Sequence, residues 1–402
     1  MSPRQGPATE RSGPMWKTDT VGVEEEFLLV DARGGLIAKS SAMLSWLRAN
    51  VEVTEPARFK PELQPVQIET VSSVHTEMAA LCADLTTMRG ELVAAGRACG
   101  AVVLPVGTAP RLWDPQPDAH ADGRHANIHD RYREMMRVYT ACGLHVHVGV
   151  DEPDLAVGVV NHLRPWLPTL IAVGANSPFH NGRDSGYSSW RVAEQARFPG
   201  AGLPPFARSA DDYDDRIATL VDCGVLLDEH MSFWLARPSD AYPTVEVRAA
   251  DTAATIDDAL LQAVLVRGLV HSALTKLAVG VEGPRFDEQV GAAAVWSAAR
   301  HGLTGPAIDP IGEGRVPASH MLEGLIGWIA DEVEESGDIA LLRRLLRTLN
   351  RHGTGAARQR LAARSGFGDL VAALRLPGPV SQPFGKQGGS AARDRACDGA
   401  AV

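Results

Sequence analysis

Cysteine is scarce and scattered in this chain, which excludes two common ways of stapling a fold. Cys82, Cys99, Cys142, Cys223 and Cys397 are odd in number, far apart and form no CxxC pair, so neither a disulfide framework nor a zinc knuckle is encoded. Long apolar runs are missing as well: nothing approaches the roughly 20 residues of a membrane span. The opening MSPRQGPATERSGPMWK lacks the apolar core of a secretory signal. A soluble, cytoplasmic protein with reduced thiols is the expectation. Surplus positive charge is absent too. With 39 Lys and Arg against 49 Asp and Glu the net charge is -10, and no basic run overrides it, which excludes nucleic acid and anionic membranes as partners. Neither GxGxxG nor GxxxxGK[ST] occurs, so nucleotide binding here uses neither a Rossmann turn nor a P-loop.

What is present is globular in character, with 45% hydrophobic and 22% charged residues. Strand-like runs (VGVEEEFLLV, PVQIETVSS, AVVLPVGTAP, GLHVHVGV, TVEVRAAD) alternate with helix-like stretches at His75 to Cys99, Asp154 to Ala175, Asp257 to Val279, Trp296 to His301, Ser319 to Ser336 and Ile339 to Arg351. Helices crowd the C-terminal third while strands dominate earlier, a segregation that predicts an α+β fold rather than a doubly wound parallel sheet. The polar residues 1–15 and the Gly/Ala/Pro-rich residues 376–402 read as disordered tails around a single catalytic domain, 16–375.

Three of the strand-like segments carry paired polar residues. Side chains two apart on a strand share a face, so Glu24 pairs with Glu26, His145 with His147 and Glu246 with Arg248, while Glu25 takes the opposite face. The segment PELQPVQIETVSSVHT adds Glu62 and Glu69. Five carboxylates and two imidazoles facing one cleft form a mostly hard-oxygen set, better suited to Mg²⁺ or Mn²⁺ than to Zn²⁺. So many acids repel one another unless cations and a phosphate-bearing ligand hold them together. Each motif alone has a plainer reading: EEE as a solvated charge run, HVH as zinc ligands or core histidines, Glu246 with Arg248 as a structural ion pair. The loop ANSPFHNGRDSGYSSWR offers Arg183 and Arg191 to the carboxylate of a small acid. His120, His125 and His129 fall in an irregular polar stretch that reads as a surface loop.

In this order, GVEEEF, ELQPVQIET, PVGTAP, CGLHVHVG, ANSPFHNGRDSGYSSWR, RPS, TVEVRAADT and GTGAARQR resemble the type 2 glutamate-cysteine ligase family, from Lys17 to Leu374. That family comprises ATP-dependent carboxylate-amine ligases with a fold similar to glutamine synthetase. The resemblance implies a curved, mainly antiparallel sheet forming a funnel backed by helices, and Mg²⁺ (or Mn²⁺) bridging the protein to ATP. Carried over by motif, Glu24 and Glu26 are metal ligands on different ions; Glu62 and Glu69 complete one site, and His145 and Glu246 join Glu24 at the other. His147 and Arg248 face the phosphates as catalytic and nucleotide-binding groups. Glutamate and cysteine are the implied substrates. The alternatives are the same chemistry on another acid and amine, a metal-dependent amidohydrolase using His145 and His147, and a silent nucleotide binder. Antiparallel sheet edges leave homo-oligomerisation open.

Overall fold

The computed structural model describes residues 19–51, 58–111 and 123–377. Seven strands form its main sheet: β1 (Val21–Val30), β2 (Phe59–Pro61), β3 (Gln67–Val71), β4 (Val102–Leu104), β5 (Gly143–Gly149), β6 (Ala236–Pro238) and β7 (Thr244–Asp251). They run in the order β6-β7-β5-β1-β3-β2, β4 pairs the far end of β1, and every pairing is antiparallel. Alternation of apolar and polar residues decides which face is dry. Val21 and Val23 of β1, Leu144, Val146 and Val148 of β5, and Val245 and Val247 of β7 are buried in one core with the helices, and their polar neighbours face the other way.

The helix Ile256–Ala278 is the centre of that core. A capping box between Thr255 and Asp258 starts it, and it packs against β1, β5 and the helices Met78–Cys99, Pro153–Leu163, Ala318–Glu335 and Ile339–His352. By length and composition it could cross a membrane, contrary to the expectation that no segment would, but 83% of its apolar window is buried inside the fold. On the same helix-side face lies Glu25, fully buried as its strand parity requires. Arg89 of Met78–Cys99 grips it with two bonds, Nε to Oε2 at 3.0 Å and Nη2 to Oε1 at 2.5 Å, and also donates to Ala253 O at 2.8 Å.

The expected α+β segregation holds, with three local corrections. The helix expected over Asp154 to Ala175 is two, Pro153–Leu163 and Leu167–Gly174, broken around Pro165 and Pro168, whose rings remove backbone donors. His125 and His129 lie not in a loop but on the helix Gly123–Tyr132, half-buried, while His120 is outside the described residues. The expected tail 1–15 is likewise outside them. At the other end Leu376 is still packed, buried and donating to Val103 O at 3.1 Å; most of the expected tail, 378–402, lies outside the described residues.

Candidate active site

Antiparallel register assembles the polar face of the sheet into one row of charges. Glu26 of β1 stands opposite Glu69 of β3, Glu24 of β1 opposite His145 of β5, and His147 of β5 opposite Glu246 of β7. Cations flank the row: Lys60 of β2 opposite Glu69, and Arg237 of β6 opposite Glu246. β7 shifts register between Val247 and Ala250, and at this irregularity Arg248 ion-pairs with Glu246, whose other oxygen accepts from Arg237 Nε at 2.8 Å. Glu62, just past β2, lies beside Glu26 and Glu24.

The contacts are close. His145 Nδ1 is 3.2 Å from Glu24 and 3.6 Å from Glu246, and its Nε2 is 3.5 Å from Glu26. His147 Nε2 is 3.7 Å from Glu24, and its Nδ1 is 2.9 Å from Thr244 Oγ1. Gly143 N donates to Glu26 Oε2 at 2.6 Å, and Thr252 Oγ1 lies 2.5 Å from Glu26 O and 2.9 Å from Gly143 O, tying three strand regions together. Burial pushes the carboxyls of Glu26, Glu62 and Glu69 up, and neighbouring carboxylates push them further. Burial opposes ionisation of Glu24 and Glu246 too, but His145 and His147 beside Glu24, and Arg248 and Arg237 beside Glu246, hold both below the usual range. Burial and the charge of Arg248 push the His145 imidazole down.

Two sets of ligand atoms lie within 4.8 Å of one another: Glu24, His147 and Glu246, and Glu24, Glu69 and His145. Glu24 is common to both. The Nε2 atoms of His145 and His147 are buried without a hydrogen-bond partner, an unusual state for buried imidazole nitrogens that a metal ion or a phosphate would relieve. The donors therefore fit divalent cations, and their oxygen-rich composition fits Mg²⁺ or Mn²⁺ best. At the Glu24 and His147 end the row opens into a cavity of about 490 Å³ lined by Gly22, Arg58, Ser72, Val74 and Tyr242, with the Tyr242 ring edge-on to His147 at 5.8 Å.

The structure brings together all eight residues expected at the row: Glu24, Glu26, Glu62, Glu69, His145, His147, Glu246 and Arg248. Arg183 and Arg191, the alternatives expected for clamping a substrate carboxylate, lie in different surroundings. Arg183 is exposed on the hairpin formed by Phe179–His180 and Arg183–Asp184. Arg191, on the helix Trp190–Gln195, is 1% exposed and donates to Arg248 O at 2.9 Å and Ala249 O at 3.4 Å, with Asp251 at 3.9 Å. Its guanidinium lies against Gly143, where an added Cβ would sit 2.5 Å from Nη2. Of the two arginines offered for a substrate carboxylate, the buried one, Arg191, holds the chain's own carbonyls, and its Nε is buried without a hydrogen bond. Lys60 and Arg237 were overlooked as site residues; Lys60 shares strand parity with Glu62, and that spacing is the signal that could have found it.

A sequence profile described as glutamate-cysteine ligase family 2 matches residues 20–375. A protein of Saccharopolyspora erythraea, named provisionally as glutamate-cysteine ligase 2-2, is 46% identical over 366 residues, covering 91% of this chain and 93% of the relative. A Salinispora arenicola protein, named provisionally as glutamate-cysteine ligase 2, is 38% identical over 386 residues, covering 93% of this chain and 99% of the relative. Among solved structures, the glutamate-cysteine ligase of Francisella tularensis in complex with AMP superposes with a TM-score of 0.62 at 13% identity, over 88% of this chain and 87% of that one. A bifunctional glutathione synthetase from Pasteurella multocida matches with a TM-score of 0.59 at 12% identity, over 88% of this chain and 50% of that one. These two structures share the fold.

Proposed function

The chain belongs to glutamate-cysteine ligase family 2, and on that premise we propose that it is an ATP-dependent carboxylate-amine ligase, joining L-glutamate to L-cysteine to give γ-glutamylcysteine, ADP and phosphate. The observation that carries the reading is the row of buried carboxylates and imidazoles opening into a 490 Å³ cavity that suits a nucleotide. A carboxylate is a poor electrophile. Transfer of the γ-phosphoryl group from ATP to the acid's carboxylate oxygen makes an acyl phosphate; the amine nitrogen then attacks the acyl carbon, and phosphate leaves through a tetrahedral intermediate. No protein nucleophile is needed, so the chain contributes position and charge.

Glu24, Glu69 and His145, and Glu24, His147 and Glu246, would hold Mg²⁺ or Mn²⁺, with Glu26 and Glu62 beside them. Divalent ions bound there supply the positive charge that ATP phosphates require. Arg248, Arg237 and Lys60 add fixed cations around the same face. Arg191 holds the irregular part of β7 through Arg248 O and Ala249 O. A cytoplasmic location, where ATP and free amino acids meet, fits this chemistry. The amidohydrolase alternative is less well supported, because each ligand set offers one imidazole with two carboxylates, a harder set than zinc favours.

The test is phosphate release from Mg²⁺-ATP and glutamate across a panel of amines, with product masses read in the same tubes. Cysteine-dependent release with a γ-glutamylcysteine mass is expected. Release with another amine would keep the ligase and reassign the substrate; ATP-independent amide cleavage with tightly bound zinc would replace it with a hydrolase.

A further inference from the structure

One buried acid belongs to no part of the strand row. Glu194 sits one helical turn, roughly 5 Å, beyond Arg191 on the helix Trp190–Gln195. Arg191 faces Gly143, whose N–H holds Glu26, while Glu194 faces a separate cavity of about 240 Å³. That cavity is lined by Arg111 after β4, Thr140 before β5, His180 of the hairpin, and Trp190, Ala193 and Arg197 beside Glu194. It is smaller than the usual range for drug-sized ligands, about 300–1,000 Å³, and suits a free amino acid better than a nucleotide.

The polar groups inside it are arranged for a zwitterion. Glu194 is 5% exposed; its Oε1 accepts from Trp190 Nε1 at 3.1 Å, and its Oε2 is buried without a hydrogen bond. His180, stacked on Trp190 at 4.9 Å, reaches the same Oε1 at 3.3 Å and leaves Oε2 unanswered. A buried carboxylate oxygen with no donor is costly, and an ammonium group would supply both charge and hydrogen bond. Arg197, whose Nε is anchored on Glu194 O at 3.2 Å, brings its guanidinium to the same cavity.

We propose that this cavity binds a free α-amino acid, with Glu194 receiving its ammonium group and Arg197 its carboxylate. That this amino acid is a substrate rests on the ligase reading above. Calorimetric titration of the full chain with individual free amino acids tests the cavity without any need for turnover. At least one amino acid should bind the wild type and bind Glu194→Gln roughly tenfold or more weakly. Ala193→Leu, which fills the cavity without touching its charges, should weaken the same ligand, and the matching α-hydroxy acid should not distinguish wild type from Glu194→Gln. Equal affinity in both variants, or no amino acid bound by wild type, overturns the proposal. Trapping the acyl phosphate of the wild type with hydroxylamine checks the ligase reading separately. Hydroxamate should form; its absence would sink the ligase reading while the titration still decides the cavity.

Discussion

Glu24 touches both imidazoles of the row and belongs to both candidate ligand sets, so its carboxylate is the group whose charge the row can least lose. Glu24→Gln keeps the shape and removes that charge. It should fold with an unchanged melting temperature and lower kcat by roughly 10²-fold or more, read as phosphate release; full turnover would remove Glu24 from the mechanism. Glu194 makes a prediction of a different kind. Burial pushes its carboxyl up to about 7, although Arg197 and Trp190 pull the other way, and His180, Arg111 and Tyr139 are the other polar groups around it. A raised carboxyl keeps a proton in the folded state that the unfolded chain has released. Its contribution to stability is therefore present below the ordinary value of 4.5 and declines as pH rises through about 7. The loss amounts to about 3 kcal/mol at most by the usual conversion. Denaturant melts of wild type and Glu194→Gln at about pH 5 and about pH 8 should show a shallower loss in the variant. Identical slopes would mean that Glu194 does not titrate in that window.

At the level of strands and helices, the Glu25 and Arg89 pair fastens β1 to Met78–Cys99 from the side opposite the row. Removing one partner strands a buried charge, so Arg89→Ala should cost about 3–5 kcal/mol in denaturant unfolding, and Glu25→Leu combined with Arg89→Met should recover most of it. An Arg89→Ala loss within the range of a surface substitution would show that the pair is loosely held. The parity of Glu24, Glu25 and Glu26 was legible from spacing alone, because alternation along a strand is local. So was the sharing of faces by His145 with His147 and by Glu246 with Arg248. Register was not legible: that Glu26 meets Glu69, or that Lys60 and Arg237 close the ends of the row, follows from pairings between segments distant in the chain. Arg183 and Arg191 were indistinguishable as loop cations, yet a few residues of chain place one in solvent and the other under β7. The helix break at Pro165 and Pro168 was readable in principle, and strong flanking hydrophobicity masked it.

For the molecule as a whole, burial and mutual repulsion raise Glu26, Glu62 and Glu69, so protons compete with any cation for the row. Millimolar Mg²⁺ should raise the melting temperature, and more at about pH 8 than at about pH 5, as read by differential scanning fluorimetry. An equal shift at both values would place the binding elsewhere. Helices supply the stable mass behind the sheet, and the sheet holds the chemistry, which is why residues so far apart in the chain converge. The bonds from Thr252 reach back to Glu26, 226 positions earlier, and to Gly143, 109 positions earlier. β1, in the middle of the row, is made before β5, the strand it pairs with, and before β7, which pairs β5 on its far side and brings Glu246 and Thr252. A nascent chain therefore carries the central glutamates long before it can align them, and the row is complete only once synthesis has passed β7.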